Sequence, residues 1–65
     1  MDRAEAIGRL PTTYAAIISL LDEGVDEPGI AQRLGVDVAT IGPLVTVARA
    51  KLARLLADGS KPSGS

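Results

Sequence analysis

The sequence predicts an all-α fold, a small three- to four-helix bundle containing a helix-turn-helix. Three observations carry this. Apolar residues recur at helical rather than alternating spacing through most of the 65 residues. Aspartates or prolines stand where helices would begin, and glycines where they would end. Residues 26–56 hold a capped helix, a Gly-containing turn and a second capped helix, which is the sequence form of a helix-turn-helix.

In chain order, residues 2–8 can form a short helix, with Asp2 near its start and Ala4, Ile7 and Leu10 toward the core. Gly8 and Pro11 end it. Pro11 then opens a longer helix over residues 12–23. There Tyr14, Ile17, Ile18 and Leu21 share one face of a helical period, and Leu20 widens it, so this helix is gripped on two sides. Asp22, Glu23 and Gly24 break it, and Val25 is a buried connector. Asp26 caps the next helix, residues 27–34, by accepting from the unpaired amides of the first turn. Pro28 fits there because those amides have no intrahelical partner. Ile30, Ala31 and Leu34 point inward, and Gln32 and Arg33 point out. Gly35 stops the helix, Val36 is the apolar residue of the turn, and Asp37 caps a last helix that begins at Val38.

That last helix carries Ile41, Val45, Ala48, Leu52 and Leu55 on its inner stripe. Gly42 and Pro43 interrupt it. In a continuous helix Pro43 leaves the Ala39 carbonyl unpaired and crowds it, at a cost of about 3 kcal/mol. Gly42 adds about 1 kcal/mol relative to Ala. Two outcomes follow: a kink, or a single turn over residues 38–41 with a fresh helix starting at Pro43. Residues 58–65 are polar and rich in Gly, Ser and Pro, and read as a disordered tail. This leaves residues 1–57 as one helix-turn-helix domain.

Composition excludes several functions. The chain is 46% apolar with Tyr14 as its only aromatic residue, so the core must be built from Leu, Ile, Val and Ala. It contains no Cys and no His, which removes disulfides, thiolate and imidazole chemistry and any ordinary zinc site. No enzyme activity, metal or cofactor is expected. Asp22, Glu23, Asp26 and Glu27 lack the ligand spacing of a calcium loop and read as helix-end chemistry, with docking of a basic partner as the alternative. No apolar run reaches the roughly 18 residues of a membrane span. The N-terminus lacks the apolar core of a signal peptide, so a cytoplasmic location is expected.

The net charge of −1 is unusual for a domain that holds DNA. Its distribution is uneven. Residues 1–30 hold two cations, Arg3 and Arg9, against six carboxylates. Residues 31–65 hold five, Arg33, Arg49, Lys51, Arg54 and Lys61, against two. The basic half coincides with the second helix of the motif. Nucleic-acid contact is one reading of it. A solvated face with cations near a helix C-terminus is the other.

The ordered set Leu10-Pro11, Tyr14, Ile17, Leu20, Glu23-Gly24, Ile30-Ala31, Leu34-Gly35-Val36, Thr40-Ile41, Ala48-Arg49 and Leu52 resembles region four, the C-terminal promoter-binding domain of bacterial sigma factors. The likeness is greatest to the smaller extracytoplasmic-function type. It covers residues 10–56. It implies a transcription-associated helix-turn-helix that touches DNA and other proteins of the transcription apparatus. The chain departs from the pattern at Gly42, Pro43, Leu44, Thr46 and Val47, where basic and polar residues are usual and only the intervening Val45 conforms. The resemblance therefore implies weak intrinsic DNA binding, with action through a partner or as a homo-oligomer.

The residues expected to contact DNA are Arg33, Arg49, Lys51 and Arg54, with Thr40 at the leading turn. Thr40 can make one hydrogen bond to a phosphate or base, or it can support the cap of its own helix. No residue of that turn can form a bidentate pair with a base edge. Leu44 and Val47 lie one turn apart where a basic face is usual. They can form a protein-interaction or dimerisation surface, rotate into the core, or keep some contact with DNA. A degenerate helix-turn-helix used only for protein binding is the rival function.

Overall fold

The computed structural model describes residues 1–60. Among them are four α-helices and no strand: α1 (Arg3–Gly8), α2 (Thr12–Asp22), α3 (Glu27–Leu34) and α4 (Ile41–Ser60), with a 3-10 turn at Val38–Thr40. The all-α class is therefore as the periodicity predicts.

Each short helix is held at its start by an aspartate. The Asp2 carboxylate accepts from the Glu5 amide at 2.8 Å and the Asp26 carboxylate from the Gly29 amide at 2.9 Å. Pro11 opens α2 without a side-chain cap. The two stops expected at Gly24 and Gly35 use the left-handed backbone that glycine tolerates, with φ of 84° and 71°. At the first, the Val25 amide reaches the Leu20 carbonyl and the Gly24 amide the Leu21 carbonyl, both at 3.0 Å. This is a Schellman arrangement, and it ties the carbonyls that α2 leaves unpaired. At the second, the Val36 amide reaches the Ala31 carbonyl at 3.1 Å.

The interior is a layer of branched aliphatics shared by all four helices. Ile17 and Ile18 of α2, Ile30 of α3 and Ile41 of α4 are fully buried. Ala6, Leu10, Ala31, Ala48 and Leu52 complete the core, with Tyr14, Leu20, Leu21, Val25, Leu34, Val45 and Leu55 packed half-buried around it. Every buried residue among those described is apolar. In α1 the inward residue is Ala6, not Ala4, which is exposed. Ala6, Ile7 and Leu10 share a face of one turn, and Ala4 falls behind it.

The α-helix starts not at Pro43 but two residues earlier, at Ile41, directly after a 3-10 turn over Val38–Thr40. Asp37 caps the 3-10 turn, accepting from the Ala39 amide at 3.0 Å, and α4 begins at Ile41. Pro43 is then in the first turn of α4, where an amide has no intrahelical acceptor, so its missing N–H costs nothing. The boundary at residue 57 needs correction. Helix α4 continues to Ser60, because the polar residues Asp58 to Ser60 extend the helix before any proline intervenes. The rest of the expected tail, residues 61–65, lies outside the described residues.

Candidate nucleic-acid interface

The relation that positions every candidate residue is the one between α3 and the segment that follows it. The chain turns through 111° between Glu27–Leu34 and Val38–Asp58. Residues 35–37 make the turn, with the left-handed Gly35 at its start. Helix pairs of the helix-turn-helix type cross at about 90–120° over a turn of this length. Helix α2 packs on α4 from behind, which leaves the outer side of α4 open.

The leading turn of that outer side carries Val38, Ala39, Thr40, Pro43, Thr46 and Val47, all exposed. It holds no cation. The Thr40 hydroxyl donates to the Asp37 carbonyl at 2.6 Å, so its proton serves the local cap and only its oxygen remains to accept. The Thr46 hydroxyl is likewise turned back, to the Gly42 carbonyl at 3.2 Å. This surface presents methyl groups where base-edge readout needs paired donors and acceptors.

Leu44 and Val47 do not form one patch. Leu44 is half-buried and packs on the core, while Val47 is 39% exposed. The start of α4 at Ile41 sets this phase: Leu44 falls beside Ile41, Ala48 and Leu55, and Val47 turns outward. The exposed apolar residues near the turn are Val36 at 43%, Val38 at 45% and Val47. Val36 and Val38 flank Asp37 in sequence, so the turn itself, not Leu44, supplies the apolar surface.

The basic residues also divide. At about 100° per residue, Arg49 lies about 160° around α4 from Lys51 and about 140° from Arg54. It shares its flank with Gly42, where an added Cβ would stand 4.0 Å from a Glu27 carboxylate oxygen. Lys51 and Arg54 lie on the opposite flank, facing α1 and α2. The Lys51 ammonium sits 5.7 Å from the centroid of the Tyr14 ring. Arg33 closes the last turn of α3, where a cation complements the helix dipole. Arg49, Lys51 and Arg54 are close in sequence, but the helix sets Arg49 apart from the other two.

What Lys51 and Arg54 do share is an open groove of about 290 Å³, lined by Arg9, Leu10, Pro11, Lys51, Arg54, Leu55 and Asp58. Arg9 is the residue that the sequence reading did not single out. It counted as part of the acidic half, yet it precedes the Leu10-Pro11 turn, and burial of Leu10 beside Leu55 carries it to α4. Leu10 and Leu55 were each legible as inward residues, but nothing in the sequence pairs them. Arg9 is held only by Glu5, at 3.8 Å and with both side chains more than half exposed, an arrangement worth little in water. The other ion pair among the described residues joins Arg3 of α1 to Asp22 of α2. The hydrogen bond from Arg3 to Asp22 and the attraction between their charges raise the Arg3 pKa further above its usual value.

With this geometry in hand, comparison with known proteins adds no relative: no family model, curated protein or solved structure matches the chain. No single helix among the described residues is long and apolar enough to cross a membrane.

Proposed function

We propose that the chain is a cytoplasmic, transcription-associated helix-turn-helix module of the sigma region-four type, which touches DNA weakly and acts with a partner or as an oligomer. The observation that carries this reading is the 111° turn from α3 into the following helix around a left-handed Gly35. The entirely apolar interior supports a binding role over a catalytic one, since every polar group is spent on caps or lies at the surface. DNA contact by this module is to the backbone. Its leading turn offers no bidentate partner for a base, and Lys51 and Arg54 are the cations that share one surface. Arg33 and Arg49 do not join them there. Sequence selection is then the task of the partner.

The test is fluorescence anisotropy of a mixed-sequence duplex at low and at physiological salt. Binding that is measurable at low salt and fades as salt rises supports the module as a backbone binder. Absence of binding even at low salt removes DNA from its function.

The second reading, a module for protein contact alone, is favoured by the exposed valines Val36, Val38 and Val47 around the turn. A Val47→Lys substitution separates the two. It abolishes partner capture or self-association under the second reading, and leaves or slightly strengthens DNA binding under the first.

A further inference from the structure

The groove between the α1–α2 turn and α4 brings three cations, Arg9, Lys51 and Arg54, around one carboxylate, Asp58. Two of the ordinary explanations for such residues fail here. Helix-dipole complementation acts only within the last turn, and because α4 runs to Ser60 its last turn contains no basic residue. Internal ion pairing fails as well. Among the described residues Lys51 and Arg54 have no ion-pair partner within 4.0 Å, and Arg9 has only the loose contact with Glu5. Of the acids in the first half of the chain, Asp2 and Asp26 are engaged in the caps of α1 and α3 and Asp22 in the bridge to Arg3. The Lys51 ammonium is held beside the groove by the Tyr14 ring, at 5.7 Å from its centroid, and a contact with a ring face leaves its N–H donors without an oxygen acceptor there. The walls, Leu10, Pro11 and Leu55, are apolar and lend the cations a low-dielectric backing.

From this we infer that the groove formed by Arg9, Lys51 and Arg54 is the module's phosphate-binding site, and that it takes the phosphodiester backbone of a DNA duplex. The inference rests on the DNA-contact reading above and deepens it, adding Arg9 as a binding residue from the connection between α1 and α2, outside the two helices that make the turn. Arginine forks suit phosphate oxygens, and the lysine adds a point charge between them. The groove is open rather than enclosed, as a polymer that must pass through requires.

The experiment measures affinity of the full chain for a short mixed-sequence DNA duplex as a function of salt, for the native chain, Arg9→Gln and Arg49→Gln. Each is checked for unchanged helicity; Arg9 and Arg49 are both exposed. Three neutralised phosphates give a slope of log affinity against log salt of about −2.7, equivalent to a loss of about 40-fold between 50 and 200 mM salt. Arg9→Gln is expected to reduce the slope by about 0.9, and Arg49→Gln to leave it unchanged. The reverse pattern overturns the groove while leaving DNA contact intact. No binding by the native chain at low salt overturns both. A poly-glutamate peptide that competes with the duplex at equal charge concentration also overturns the inference, because the groove would then be a general acid-binding surface.

Discussion

The Lys51 ammonium stands 5.7 Å from the centre of the Tyr14 ring, tying the open flank of α4 to α2. A contact of this kind at an exposed site is worth about 0.5–1 kcal/mol. Tyr14→Phe keeps the ring and is expected to leave stability unchanged, whereas Tyr14→Leu loses the contact. A double-mutant cycle of Tyr14→Leu with Lys51→Met, read by urea unfolding, should return a coupling of about 0.5 kcal/mol or more. A coupling of zero would mean that the ring does not fix the lysine beside the groove.

The interior offers little reserve. At 0.05–0.15 kcal/mol per residue, a chain of this size has about 3–10 kcal/mol of stability. Ile41 is fully buried at the start of α4 and joins the turn to the core. Ile41→Val should cost about 0.5–1.5 kcal/mol and Ile41→Ala about 2–5 kcal/mol. The urea midpoints should fall in that order, and equal midpoints for the two variants would show that the site collapses around the lost methyl groups.

Glycines at two helical positions should respond to alanine with opposite signs. An added Cβ at Gly8 meets nothing within 4 Å. Gly8→Ala should therefore stabilise by about 0.4–1 kcal/mol through the unfolded chain. At Gly29 the same atom would stand 2.8 Å from Val25 Cγ1 and 3.0 Å from the capping oxygen of Asp26. Gly29→Ala should lower stability by about 1–3 kcal/mol, since a half-buried β-branched side chain and a cap must both move. Thermal unfolding of the two variants checks the pair. A stabilised Gly29→Ala protein would place Val25 elsewhere.

Pro43 is expected to be harmless where it stands. Pro43→Ala restores an amide that has no intrahelical acceptor in the first turn of α4, so stability should change by less than about 1 kcal/mol. Val47→Pro, one turn further on, removes a formed hydrogen bond and should cost about 3 kcal/mol or more. Similar losses for both substitutions would mean that the helix begins before Ile41.

These elements also show where the sequence could and could not be read. The caps at Asp2, Asp26 and Asp37 and the stops at Gly24 and Gly35 were legible because each acts through its own neighbouring amides and carbonyls. The inner stripe of α4 was legible from its spacing. What escaped were quantities fixed by phase and by distant packing. The point at which α4 starts decides whether Leu44 joins the core, and a kink at Gly42 and Pro43 or a fresh helix at Pro43 satisfied the same local rules. Arg49, Lys51 and Arg54 are close in sequence, but helical rotation sends them to opposite flanks. Arg9 reaches Lys51 and Arg54 only through the folding of α1 against α4, and no local pattern encodes that meeting.

The most direct test of the central claim is an amide NMR titration of the full chain with a mixed-sequence duplex at low salt, after its mass in solution has been measured. The account predicts shifts at residues 35–40 and around Arg9, Lys51 and Arg54, reversed by added salt. No shifts even at low salt would contradict it, and together with a dimer closed over Val36, Val38 and Val47 would make the surface around the turn a site for protein alone.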